Sequence, residues 1–306
     1  MPFRPTPLAR TQKSSSTAWL ARQARDPYVK LRSSSVTADA SALAATSYRS
    51  RSAFKLIEMD EKYKFLRNQR DVQVVLDLGA APGGWSQVVA QKLGWDAPLP
   101  LLRKAERMRE PRGVYPKPGH SWSGAGASSS WPLPDGDEPA DEPFTNPLDI
   151  SALDAGTGRG TIVAVDLLRM VPIPGVQFIQ ADFLAPETEA LIRGIIERKR
   201  GPHGKADVIL CDMAANSTGN AFHDIESSLA ICTSVLEFSK RHLRSAESMQ
   251  RGLGGVLLMK YFVHPLTHMF RMEHLVTNFN DVRFIKPDAS RTESKEAYYL
   301  CRGFKG

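Results

Sequence analysis

Asp77-Leu78-Gly79-Ala80-Ala81-Pro82-Gly83-Gly84-Trp85 closes an apolar run that begins at Val72. A short apolar run that ends in glycines reads as a buried strand turning into a helix. A glycine loop at that turn lets a nucleotide-like ligand approach the backbone. A dinucleotide fold shows G-x-G-x-x-G, whose second glycine admits a pyrophosphate. Here Ala81 stands at that position, and Asp77 puts an acid close to where the pyrophosphate would sit. Both features argue against a dinucleotide. They suit a cofactor with a cationic centre and an ammonium group, as in S-adenosylmethionine.

Outward from this loop the chain alternates strand and helix. Residues 46–63 read as a helix with Ala53, Leu56, Ile57 and Met59 apolar, and Gly84 to Leu93 as another. Strands are expected at Val72 to Leu78, Thr161 to Asp166, Val176 to Gln180, Ala206 to Asp212 and Gly255 to Lys260. Val282 to Ile285 and Ala297 to Cys301 are expected to pair as the last two. Pro186 to Lys199 reads as a helix with Leu191, Ile195 and Ile196 on one face. Ile225, Leu229, Cys232, Leu236 and Leu243 recur at helical spacing. This alternation predicts an α/β fold with a doubly wound, mostly parallel sheet. Such sheets bind ligands beyond the carboxyl ends of their strands, at the point where strand order reverses. Asp166 ends the second strand, where an acid accepts hydrogen bonds from ribose hydroxyls. Asp182 follows the third, placed to accept from an adenine amino group or to serve as a helix cap or surface acid.

The loop from Asp77 to Gln87 resembles the cofactor motif of the FtsJ/RrmJ-type ribosomal RNA 2′-O-methyltransferases. Further stretches resemble that family in order: Trp19-Leu20, Asp26 to Lys30, Tyr48 to Leu56, Cys211 to Asn216, Leu258 to Lys260, and Lys286 to Tyr298. Together they span some 220 residues. The resemblance implies a Rossmann-like methyltransferase sheet of seven strands whose last hairpin is antiparallel. It implies S-adenosylmethionine as cofactor, held by Asp77, Gly79, Pro82, Gly83, Gly84, Trp85, Asp166, Asp182 and Asp212. It carries the family's Lys-Asp-Lys-Glu tetrad onto Lys55, Asp212, Lys260 and Glu296, all four present. Ala215 departs from the family's usual proline, with slight loosening of the loop expected.

A ribose 2′-hydroxyl is a poor nucleophile and a methyl sulfonium a strong electrophile, so the enzyme must align them and help a proton leave. Lys260 takes the place nearest the 2′-oxygen, as general base or steering cation. A free lysine titrates near ~10.4, so a base role demands a large downward shift. Lys55 pushes that way; Asp212 and Glu296 push the other or orient the lysines.

Lys plus Arg number 40 against 33 Asp plus Glu, a formal +7 that favours an anionic partner, nucleic acid first. Residues 1–70 hold 14 Lys or Arg and five acids, and Arg49, Arg51 and Lys55 sit with Tyr48 and Phe54. These track RNA phosphates or lie along a helix face; Lys286, Arg291 and Lys295 extend the patch. The resemblance implies ribosomal RNA or a large-subunit particle as partner, with a uridine ribose the target in its bacterial and mitochondrial branches. Transfer RNA is the alternative substrate, and a ribosome-assembly factor acting mainly by RNA binding the alternative of another class.

Residues 1–16 read as a mitochondrial presequence or a basic tail, since 1–25 carry five Arg or Lys and no acid. The expected compartment is the mitochondrial matrix, with cytoplasm or nucleolus as alternatives. Residues 17–306 are expected to form one methyltransferase domain, interrupted by an insertion at about 96–160. Gly, Pro and Ser fill 18 of the 37 positions from 111 to 147, too many for a segment that buries apolar surface. No apolar stretch reaches membrane-spanning length. Cys211, Cys232 and Cys301 are far apart in sequence, which excludes a disulfide framework, and the seven histidines form no ligand motif with them, so no metal is expected. His264 and His268 are read as surface residues. A monomer is the expected state.

Overall fold

The computed structural model describes residues 25–34, 48–66, 71–95, 158–215, 218–291 and 293–306. The expectations for residues 1–16, for Trp19-Leu20, for Asn216 and for the 96–157 part of the insertion lie outside these. The described residues of 1–97 and 156–306 cluster into one compact unit.

Its centre is a seven-stranded sheet, ordered β3-β2-β1-β4-β5-β7-β6. The strands are β1 (Val74–Leu78), β2 (Thr161–Asp166), β3 (Val176–Gln180), β4 (Val208–Cys211), β5 (Val256–Phe262), β6 (Phe279–Ile285) and β7 (Glu296–Phe304). β1 to β5 pair in parallel, and β7 is antiparallel to both β5 and β6. This is the α/β, Rossmann-like architecture expected, with order reversing between β1 and β4.

The helices are α1 (Pro27–Ser34), α2 (Ser52–Tyr63), α3 (Gly84–Lys92), α4 (Pro186–Arg200), α5 (Ala221–His242) and α6 (Pro265–Phe270). β1 is buried at every position, because helices cover both sheet faces. Its alternate residues divide accordingly. Val74, Leu76 and Leu78 join the core that holds Ile192, Cys232 and Phe238 from α4 and α5; Val75 joins the other with Leu56, Met59, Trp85 and Val89 from α2 and α3.

Several expectations need correction. The helix expected over 46–63 begins at Ser52, with residues 48–51 outside it. On α4 the buried face is Thr188, Ile192, Ile195 and Ile196, while Leu191 is 58% exposed. Positions 188, 192, 195 and 196 share one stripe of a 3.6-residue helix; 191 lies about a quarter of a turn from its centre. The fourth strand is shorter than Ala206 to Asp212, because Ala206 makes only an isolated bridge to Leu243. The segment after β5 also carries more helix than its composition suggests. His264 caps α6 through a hydrogen bond from Leu266 N–H to its Nδ1, and Thr267 Oγ1 accepts from His264 N–H in return. The three cysteines, distant in sequence, are free and buried in one core cluster, where burial pushes Cys211 and Cys232 up to about 12. No helix among the described residues is long and apolar enough to cross a membrane.

Candidate active site

The glycine loop leaves β1 at its carboxyl end and meets the loops after β2 and β4. Gly79 N–H and Ala80 N–H donate to Val165 O, at 2.8 and 3.2 Å. Ala81 N–H donates to Asp166 Oδ2 at 2.8 Å, and Leu168 N–H to Asp166 Oδ1 at 2.7 Å. Gly79 has φ +71°, and a Cβ there would lie 2.0 Å from Met213 Cγ on the β4 loop. Gly83, φ +104°, caps α3, and a Cβ there would lie 2.8 Å from Met170 Sδ. Pro82 follows Ala81 by a cis bond. Both glycines thus hold left-handed backbone in contacts that leave no room for a side chain.

Asp77 is only 1% exposed. Ser86 Oγ donates to its Oδ2 at 2.6 Å, so it ties the loop to the first turn of α3. Burial pushes its carboxyl up to about 7, against the Ser86 hydrogen bonds, which favour the ionised form. Trp85 is buried, donates its indole N–H to Ser52 O at 2.9 Å, and lies 5.8 Å from the Tyr298 ring. Asp182 is exposed, and its Oδ1 accepts from Leu184 N–H at 3.0 Å.

On the other side of the switch point, four separate elements deliver Lys55, Asp212, Lys260 and Glu296 to one place. Lys55 rises from α2, Asp212 follows β4, Lys260 is on β5 and Glu296 opens β7. The β5–β7 register puts Lys260 opposite Tyr298 and Phe262 opposite Glu296. Lys55 Nζ donates to Glu296 Oε1 at 2.5 Å. Lys260 Nζ pairs with Asp212 Oδ1 at 3.1 Å and also donates to Asp212 O. Tyr298 joins the two pairs: its hydroxyl donates to Asp212 Oδ1 at 2.7 Å and lies 3.4 Å from Glu296 Oε1. Ser290 Oγ adds a bond to Glu296 Oε1 at 2.9 Å. Burial alone would raise the Glu296 carboxyl, but the charges of Lys55 and Lys260 and the bonds from Lys55 and Ser290 hold it below its ordinary range. Burial and the two carboxylates push the Tyr298 phenol well above its ordinary value, so it is a donor throughout the physiological range.

Sequence reasoning passed over Tyr298, Ser290 and Ser86 as contributors. For Tyr298 a signal existed: it lies two residues after Glu296, hence on the same face of the same strand. The basic patch comes out differently from its expectation as an RNA track. Arg49 donates to Val171 O and Pro172 O, and Arg51 to Asp26 and Ala289 O. Both arginines fasten α2 to neighbouring segments.

The FtsJ-like methyltransferase family model matches residues 48–104 and 150–304. The chain belongs to this family. FtsJ-like relatives cover nearly all of it. A protein of Afipia carboxidovorans is 32% identical over 96% of this chain and 92% of its own; one of Azorhizobium caulinodans is 33% identical over 97% and 87%. Both are named ribosomal RNA large subunit methyltransferase E. A solved Plasmodium falciparum chain, described as a ribosomal RNA methyltransferase, shares the fold with a TM-score of 0.52 at 22% identity, over 85% of this chain and 100% of that one. This FtsJ-like chain is therefore a methyltransferase that uses S-adenosylmethionine. The crevice fits that cofactor. Asp166 is a half-buried acid beside Leu167 and Leu168, each 69% exposed, which pairs an acceptor for hydroxyls with an apolar ledge for a purine face.

Proposed function

We propose that the chain transfers a methyl group from S-adenosylmethionine to the 2′-hydroxyl of a uridine in large-subunit ribosomal RNA, in the mitochondrial matrix. One observation carries the reaction class: two lysine–carboxylate pairs from four elements, bridged by Tyr298, stand beside the glycine loop at the carboxyl edge of the sheet. The relatives' shared name supports the RNA. The uridine rests on the branch of the family that the motifs resemble. The compartment rests on the acid-poor, Arg- and Ser-containing residues 1–25, since the two relatives named methyltransferase E are bacterial.

The cofactor supplies an electrophilic methyl on a cationic sulfur. Asp166 would hold its ribose hydroxyls, Asp182 its adenine amino group, and the backbone of Gly79, Pro82, Gly83 and Gly84 its remaining part, with Asp77 and Trp85 setting the loop. With the cofactor bound, a carbon–oxygen bond would form as the carbon–sulfur bond broke with its electron pair going to sulfur, and the hydroxyl proton would pass to water. Lys260, fixed by two bonds to Asp212, acts as a positioned cation that stabilises the negative charge developing on the 2′-oxygen. Lys55 and Glu296 hold the other wall, and Tyr298 keeps the two carboxylates at a set separation.

The test offers labelled S-adenosylmethionine with mitochondrial large-subunit particles, cytosolic large-subunit particles and transfer RNA in parallel. Label is expected as 2′-O-methyluridine in mitochondrial large-subunit RNA alone. Lys260→Ala should cut the rate by about 100-fold or more with cofactor affinity kept. Lys260→Arg should keep part of the rate with an unchanged pH–rate profile. A lost limb in that profile would show that Lys260 removes the proton. Label in transfer RNA alone would move the substrate and leave the chemistry standing.

A further inference from the structure

The opposite end of the sheet holds a second concentration of cationic side chains that the transfer reaction does not use. A cavity of about 480 Å³ opens there, and Arg200, His203, Lys205, Arg244, Ser245 and Ser248 are among its lining residues. They come from the α4–β4 and α5–β5 connections, so they stand at the amino ends of the strands. Asp207, just before β4, marks this end as Asp212, just after it, marks the catalytic end. The four residues of β4 lie between them, so five steps of strand separate the two by ~16 Å.

The cavity wall is built on one carboxylate. Asp207 is fully buried and accepts from Gln73 N–H at 2.7 Å and Val74 N–H at 2.8 Å. Arg244 Nη1 donates to its Oδ1 at 2.9 Å, and Arg200 Nη2 donates to its Oδ2. Asp207 therefore neutralises one of two guanidinium groups. Lys205, half-buried beside them, has no acid partner among the described residues. Among these side chains three cations stand against the one carboxylate of Asp207, His203 adds a ring nitrogen at the rim, and Gly306 also lines the cavity. Arg200 Nε is also buried with no acceptor among the described residues. Ser248 Oγ donates to Ser245 O at 2.8 Å and Ser245 Oγ accepts from Ser248 N–H at 3.1 Å, so these serines hold the wall in place and the cationic side chains are what suits an oxyanion.

We propose that this cavity is a phosphate-binding site, distinct from the methyl-transfer crevice. The phosphate chemistry comes from an RNA backbone or from a free phosphorylated molecule. The RNA source deepens the reading of the chain as a ribosomal RNA methyltransferase and rests on it. In that case the enzyme grips its folded substrate at both ends of the sheet.

The test uses the full chain and the variants Lys205→Gln and Lys205→Glu. Unchanged S-adenosylmethionine affinity by calorimetry establishes that each variant is folded. Inorganic pyrophosphate is titrated while backbone amide resonances of His203 and Lys205 are followed. RNA binding is measured in parallel with a large-subunit RNA fragment between 50 and 200 mM salt. Pyrophosphate shifts at His203 and Lys205, weakened in Lys205→Glu, support the site. With them, a several-fold loss of RNA affinity and a salt slope lowered by about one in Lys205→Gln assign it to RNA backbone. Shifts without any change in RNA binding assign it to a free phosphorylated ligand. No shifts and no change in RNA affinity overturn the site. None of these readouts requires methyl transfer, so the site and the proposed reaction stand or fall separately.

Discussion

Tyr298 gives the tetrad its internal geometry, because among the described residues its hydroxyl is the one group hydrogen-bonded to Asp212 and within reach of Glu296. Tyr298→Phe removes the hydroxyl and keeps the ring against Trp85 and below Lys55. Asp212 Oδ1 then depends on Lys260 alone among the described residues. The expected result is a drop in kcat of about tenfold with little change in the KM for cofactor, and a stability loss of about 1 kcal/mol. Single-turnover transfer and urea unfolding check the two parts; an unchanged kcat would remove Tyr298 from the machinery. The four charged residues were visible in sequence only through the motifs around them. A lysine in a helix and another in a strand carry no mark of their shared pocket. Their meeting depends on the β5–β7 register and on α2 packing against one face of the sheet, which no local pattern encodes. For Tyr298 only half of its role was legible, since Glu296 is two residues away on the same strand face while Asp212, 86 residues away, reaches it only through the fold.

At the scale of the element, the joint between β1 and α3 carries a pH dependence. The Asp77 carboxyl is pushed from 3.8 up to about 7 in the folded chain, chiefly by burial. Between those values the folded chain keeps a proton that the unfolded chain has lost. The contribution of Asp77 therefore makes stability fall as pH rises from about 4 to about 7, then level off. Asp77→Asn keeps the shape and removes the titration. The difference in unfolding free energy between wild type and Asp77→Asn should move against the wild type by a few kcal/mol across that window. Parallel curves would mean the carboxyl titrates as an ordinary acid. Helix α4 offers a second test. Ile192→Ala should cost about 2–5 kcal/mol, because Ile192 is fully buried, whereas Leu191→Ala should stay within about 0.5 kcal/mol. Comparable losses from both would contradict the observed helix register. The strands from Thr161 to Asp166 and Val176 to Gln180 were legible to the residue, since an apolar run bounded by turns has few other readings. The α4 face was not, because Leu191 and Ile192 are equally apolar and only packing against β2 chooses between them. The α6 cap was missed because histidine is an uncommon capping residue, and its ring nitrogen does the work usually left to Ser or Asp.

For the whole molecule, the chain on either side of the expected insertion closes on itself. Arg159 N–H donates to Leu93 O at 2.9 Å, and the Trp95 indole N–H donates to Arg159 O at 3.1 Å. The Trp95 ring also fills the space beside Gly158 and Gly175, where a Cβ on either would lie 2.3 Å from Cδ2 of the ring. The end of α3 and the start of β2 are therefore held together by bonds of their own, at the amino end of the sheet and away from the tetrad. Replacing residues 97–156 by four Gly or Ser residues spans the same gap without touching any of these bonds. If those 60 residues behave as their Gly, Pro and Ser content implies, closing so long a loop costs about 2 kcal/mol more than closing the short link. The shortened chain is expected to bind S-adenosylmethionine as the full chain does and to melt at the same temperature or a few degrees higher. Calorimetric titration of the cofactor and a thermal scan of both chains decide it. A shortened chain that fails to fold would show that residues 97–156 supply part of the core, and that the methyltransferase sheet is not self-sufficient without them. A shortened chain that folds and binds cofactor but no longer methylates ribosomal RNA would assign the insertion to substrate engagement.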